Sequence, residues 1–139
     1  DRFPNEVVVR EDLIILKFDA QLFFGNIDFF KKLVFNSIEK KLSKVKGFII
    51  NARAINYIDS TASEELIIII KKLQKKGIRV MVVGAIDPSR DIIINSKLIK
   101  VIKKQNLFVT SGDATDSFDG KAKNTALQKK LSRQYNQKN

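Results

Sequence analysis

The chain has 139 residues, 44% hydrophobic and 29% charged, which suits one domain with a buried core and an ordinary polar surface. It contains no Cys and no His, so disulfides, thiolate metal sites, a Cys nucleophile and a Ser-His-Asp hydrolase are excluded. The formal charge is +11, but residues 121–139 hold six basic residues and no acid, leaving the first 120 residues with 20 basic against 15 acidic, or +5.

Much of the excess charge therefore reads as a property of the C-terminal segment. That segment is expected to be a solvated tail, or a patch that meets anionic lipid or another acidic surface. A nucleic-acid partner is not expected, since no basic stripe with interleaved aromatics is visible. The longest apolar run, Leu66 to Ile70, is far too short to cross a bilayer. Starting at Asp1 without Met, and without a signal peptide, the chain reads as a piece of something longer.

In chain order, Val7 to Arg10 reads as a strand and Glu11-Asp12 as a turn. Leu13 to Phe18 (LIILKF) reads as a buried strand. Asn26 has the chemistry of a helix N-cap, and Ile27, Phe30, Leu33, Val34, Ile38 and Leu42 follow on one helical face. Gly47 breaks that helix ahead of a strand at Phe48 to Ile50. The spacing predicts a second helix over Asp59 to Lys76, with Thr61 and Glu64 as a capping box and Lys75-Lys76-Gly77 as the stop. Its four-Ile run favours strand by propensity but helix by length.

A third core strand follows at Ile78 to Val83. Asp87-Pro88-Ser89 then opens helical stretches on either side of Asn95-Ser96. Leu107 to Val109 reads as a last strand. Asp113 to Arg133 reads as a final helix, interrupted or capped near Gly120. Strands alternating with helices predict an α/β fold with a mostly parallel sheet of four to five strands packed by four to five helices. The expected division is a domain over 1–119 and a basic helix or flexible tail over 120–139.

Three strings in order resemble the STAS domain of sulfate-permease-type anion transporters. They are Arg2-Phe3-Pro4 with LIILKFDAQLFFGN at Leu13 to Asn26, Ile58-Asp59-Ser60-Thr61-Ala62 entering a helix, and Gly77-Ile78 to Gly84. Ala62 departs from the Gly that the family often has there. The resemblance implies a cytosolic regulatory or interaction module on the inner face of the plasma membrane, part of an integral membrane protein. It would act by contacts to the transmembrane domain of the same polypeptide, to a second copy, or to a soluble partner.

Two alternatives stay open: a free-standing antagonist of anti-sigma factors switched by phosphorylation, and a nucleotide-binding regulatory domain. For the latter the chain offers no Gly-rich phosphate loop. In the free-standing relatives a Ser or Thr at the position of Thr61 is phosphorylated, so the resemblance marks Thr61, with Ser60 beside it.

The loop Asp59, Ser60, Thr61, Ala62 and Ser63 carries the available chemistry. Three hydroxyls and a carboxylate sit at an expected helix start, where free N–H groups and partial positive charge suit an anion or phosphate. The plainer reading of the same residues is a helix cap. Asp19, Phe23, Phe24 and Asn26 are candidates for a docking face. Asp19 and Asp28 otherwise read as solvated turn residues, and Phe23-Phe24 and Phe29-Phe30 as core. No catalytic residue, metal site or cofactor is expected, and the chain is not expected to be an enzyme.

Overall fold

A computed structural model of the chain describes residues 3–41, 44–85 and 89–121. Arg2, Leu42, Asp87-Pro88 and most of the basic segment read above lie outside them. Five strands form one sheet in the order β1 (Asn5–Val9), β2 (Leu13–Phe18), β3 (Gly47–Asn51), β4 (Arg79–Val83), β5 (Leu107–Phe108). β1 pairs antiparallel with β2 through the tight turn at Arg10 to Leu13, and the remaining pairs are parallel. The helices are α1 (Ile27–Glu39), α2 (Ser60–Lys75), α3 (Ser89–Ile94), α4 (Leu98–Ile102) and α5 (Ser111–Phe118). The α/β fold, with a five-stranded, mostly parallel sheet and five helices among the described residues, is the one the sequence predicts.

Strand alternation sorts the core onto two faces. Ile14, Leu16 and Phe18 of β2, Phe48 and Ile50 of β3, and Val80 and Val82 of β4 meet α1, α2, α3 and α4. Leu13, Ile49, Met81 and Val83 point the other way, to a smaller cluster under α5 with Phe108, Ala114 and Phe118. The four-Ile run is helical because its spacing satisfies a core. Leu66, Ile69, Ile70 and Leu73 are buried, while Ile68 is turned outward. Gly77, at φ 81, ends α2 at the residue expected.

Two expectations are corrected. β1 starts two residues earlier than read, at Asn5. α5 starts at Ser111 rather than Asp113, because the Thr110 side chain accepts from the Asp113 N–H and caps it. Its end at Phe118, with Gly120 at φ 75 two residues on, is the interruption expected near Gly120. The proposed continuation to Arg133 lies outside the described residues beyond Lys121.

α5 is clipped to the rest by two arginines. Arg10, in the β1–β2 turn, binds Asp12 at 2.7 Å and both oxygens of Asp119, and lies 5.6 Å from the centre of the Phe118 ring. Arg79, at the start of β4, donates to Asn106 Oδ1 and Ser117 Oγ, and burial holds its guanidinium below its usual value.

Hydrogen bonding to Arg10 holds the Asp12 and Asp119 carboxyls below their ordinary value. A depressed folded-state value means that their stabilisation is present above the unfolded value and lost as pH falls through the folded ones. Urea midpoints measured from about pH 5 down to about pH 2 should therefore fall less steeply in Arg10→Gln than in the parent chain. A second expectation concerns Lys103, at φ 70 and ψ 142, a backbone region that favours glycine. Lys103→Gly should raise the unfolding free energy by about 1 kcal/mol in urea denaturation.

Candidate functional site

The loops that leave the carboxyl ends of β2 and β3 are joined into one surface. Leu22 and Ile58 form a parallel bridge, with the Leu22 N–H donating to Tyr57 O at 2.9 Å and the Asp59 N–H to Leu22 O at 3.0 Å. The Asp59 carboxylate adds the decisive link. Oδ1 accepts from the Ala62 N–H at 2.7 Å, and Oδ2 accepts from the Phe24 N–H at 3.0 Å. One side chain thus caps α2 and holds the other loop against it.

This corrects the expected capping box. Asp59, in extended backbone, is the N-cap of α2, and Thr61 lies inside the first turn. Ser60 and Thr61 are exposed, and their hydroxyls make no hydrogen bond among the described residues. Ala62 is fully buried, and Ser63 is partly so. The Ala at position 62 therefore faces the core, and of the loop's three hydroxyl residues Ser60 and Thr61 are the exposed ones.

Asn26 is also corrected on two counts. It is fully buried, so it presents nothing to a docking partner, and its side chain makes no cap bond to α1. Its Oδ1 accepts from the Phe23 N–H and its Nδ2 donates to Gln21 O, so the amide is spent on shaping the β2–α1 loop. A Cβ at Gly25 would stand 2.5 Å from the Phe23 ring, which would have to shift to admit it.

The loop shaped this way pushes Phe24 outward, to 74% exposure, edge-on to the half-buried Phe23 with ring centres 5.8 Å apart. Phe24 is thus not core, whereas Phe30 is fully buried and Phe29 packs against Phe3 and Phe18. Tyr57, which the sequence reading passed over, is the second exposed ring on the joined loops, at 48%. A Tyr two residues before a candidate cap, with no apolar periodicity around it, was the available signal. Asp19 sits apart. It is exposed, its N–H donates to Pro4 O, and its carboxylate is 3.8 Å from Lys17, which ties it to the β1 side. Asp28 is exposed in the first turn of α1. The described residues contain no cluster of three or more metal-ligating side chains and no helix long and apolar enough to cross a membrane.

The joined loops can therefore present two rings and two hydroxyls on a fixed frame at a helix N-terminus. The family model of the STAS domain matches residues 5–114, which takes in both loops. The chain belongs to the STAS domain family.

Its likeness to whole proteins falls in two groups. Over 106 residues the STAS domain is 24% identical to a probable sulfate transporter of Mycobacterium tuberculosis strain H37Rv, covering 76% of this chain and 19% of the transporter. The chain thus spans about a fifth of the length of that relative. Among solved structures, it superposes on the STAS domain of a SulP transporter from Vibrio cholerae with a TM-score of 0.65 at 18% identity, covering 81% and 84% of the two chains. It superposes on the murine Slc26a9 anion transporter with a TM-score of 0.70 at 16% identity, covering 78% of this chain and 18% of that one. The phosphorylated anti-sigma factor antagonist SpoIIAA of Bacillus gives a TM-score of 0.61 at 15% identity, covering 84% and 98%. These structural likenesses establish a shared fold.

The two bonds of Asp59 make a measurable distinction. Asp59→Ala should lower the unfolding free energy by about 1–2 kcal/mol in urea denaturation. Thr61→Ala, which removes no cap, should stay within about 0.5 kcal/mol of the parent. Equal losses in the two variants would contradict the assignment of the cap to Asp59.

Proposed function

We propose that this STAS domain is the cytosolic regulatory or interaction module of a sulfate-type inorganic anion transporter, and that it works by contact rather than by catalysis. The observation that carries the reading is the surface that Asp59 assembles. Phe24 and Tyr57 stand out from a frame that is hydrogen-bonded across two loops, with Ser60 and Thr61 at its edge. Exposed rings on a rigid frame suit a protein contact, because little side-chain freedom is lost when they are covered. The partner in this reading is the transmembrane domain of the same polypeptide, with a second copy or a soluble protein as further partners. The likeness to a sulfate transporter, of which the domain spans a fifth, supports that context.

The chemistry of the loops agrees with a reader or adaptor. A chain with no His and no Cys lacks the commonest general base and the thiolate nucleophile. Modulation would then come from the free energy of docking, which shifts the transport domain between conformations it already visits.

A second reading, as a free-standing phosphorylation switch, draws on one specific feature. The Thr61 hydroxyl is exposed in the first turn of α2 and is not used as a cap. A phosphate there would face the positive end of the helix and would add about two negative charges beside Asp59.

Labelled-sulfate uptake by cells that express the complete gene product tests the first reading. Phe24→Ala/Tyr57→Ala should change uptake at least severalfold at equal protein amount, with the purified domain still folded by circular dichroism. Unchanged uptake, or a complete reading frame without membrane-spanning segments, would overturn it. A single phosphate on Thr61 in such a reading frame, found by mass spectrometry of the native protein, would favour the second reading.

A further inference from the structure

Beyond its first turn, α2 shares with α4 a stretch of surface that carries lysines and no acid. Residues 66–85 and 92–112 contain no acid, and they hold Lys71, Lys72 and Lys75 of α2 together with Lys97, Lys100 and Lys103 in and around α4. All six are exposed, and among the described residues none is in an ion pair. α2 and α4 cover the same side of the sheet and touch each other, with Gln74 Nε2 donating to Val101 O at 2.9 Å. Their solvent sides therefore form one surface. On the opposite side of the sheet α5 and its end carry Asp113, Asp116 and Asp119.

Two further features lie on the basic surface. Ile68 is 43% exposed and falls in line with Lys71, Lys72 and Lys75 at helical spacings of three, four and seven, and exposed Glu64 bounds this line one turn earlier at the start of α2. An open cleft of about 290 Å³ is bounded by Lys100, Lys103 and Lys104 beside Ile99.

We infer that the outer face of α2 and α4 is a docking surface for an anionic phospholipid bilayer. The choice among polyanions follows from the residue types. The cations are lysines, flexible point charges that suit a fluid array of headgroups, whereas arginine forks suit the fixed phosphates of nucleic acid. No aromatic side chain belongs to the set, so nothing offers a stacking platform for bases. An isoleucine among lysines matches the boundary between headgroups and acyl chains, where apolar burial adds to charge attraction. The inference stands on the charge map of the folded body, separately from the basic C-terminal segment and from the transporter reading.

Co-sedimentation of the full chain with phosphatidylcholine vesicles, with and without phosphatidylglycerol, tests it. Binding should require phosphatidylglycerol and should weaken as salt is raised. Two variants of equal charge change separate face from tail. Lys72→Gln/Lys75→Gln/Lys100→Gln/Lys103→Gln should weaken binding by about tenfold or more, and Lys123→Gln/Lys129→Gln/Lys130→Gln/Arg133→Gln should weaken it far less. Ile68→Ser should cost a few-fold at unchanged charge. Thermal melts would show that each variant is folded. The inference is overturned if the tail variant loses as much as the face variant. It is equally overturned if the vesicles are ignored while a DNA duplex or an acidic protein binds with the same lysine dependence.

Discussion

A single carboxylate decides what this domain can show to a partner. Asp59 has two acceptor oxygens, and the fold uses one on each of two chain segments: the first turn of α2 and the backbone of Phe24. Both bonds satisfy N–H groups that have no partner in regular structure, so the side chain stabilises the helix start and fixes the neighbouring loop together. The Leu22–Ile58 bridge then continues the parallel sheet for one step beyond its strands. Two loops that a parallel sheet merely brings near each other become one rigid surface. Phe24 and Tyr57 stand exposed on it.

The sheet below sets the polarity of the whole molecule. Consecutive strands lie side by side, and the helices linking the parallel strands gather on one face. The remaining face is left for α5, which buries Ala114 and Phe118 against Met81, Val83 and Phe108 and is fastened by Arg10 and Arg79. The lysines of α2 and α4 lie on the side of the sheet away from α5 and its Asp113, Asp116 and Asp119. An uneven charge distribution of this kind favours some docking orientations over others.

Much of this was legible in the sequence. The apolar strand at Leu13 to Phe18, the α1 face from Ile27 to Ile38, and the Gly77 stop follow from periodicity and turn chemistry, and they stand in the structure where they were expected. The start of α2 was less legible because Asp59 and Thr61 are both good caps by chemistry, and Glu64 completes a capping-box spacing with Thr61. Pairing between Leu22 and Ile58 holds Asp59 in extended backbone and so decides between them. Asn26 misled for a similar reason. Its amide is a suitable cap, but the loop before α1 needs both of its polar ends. The exposure of Phe24 depends on the same loop, and no local pattern of hydrophobicity announces it. Charge counted along the chain points to the C-terminal segment. The lysines of α2 and α4 lie about 25 residues apart and become one surface only when the two helices pack side by side.

The most direct test of the central claim is amide hydrogen exchange at Phe24 and Ala62, measured in the parent chain and in Asp59→Asn and Asp59→Ala. If one carboxylate unites the loops, both amides lose protection together in Asp59→Ala, and the β2–β3 ladder keeps its own. Loss at Ala62 with an unchanged Phe24 amide would mean that the β2–α1 loop holds its shape unaided, and the shared surface would not depend on Asp59.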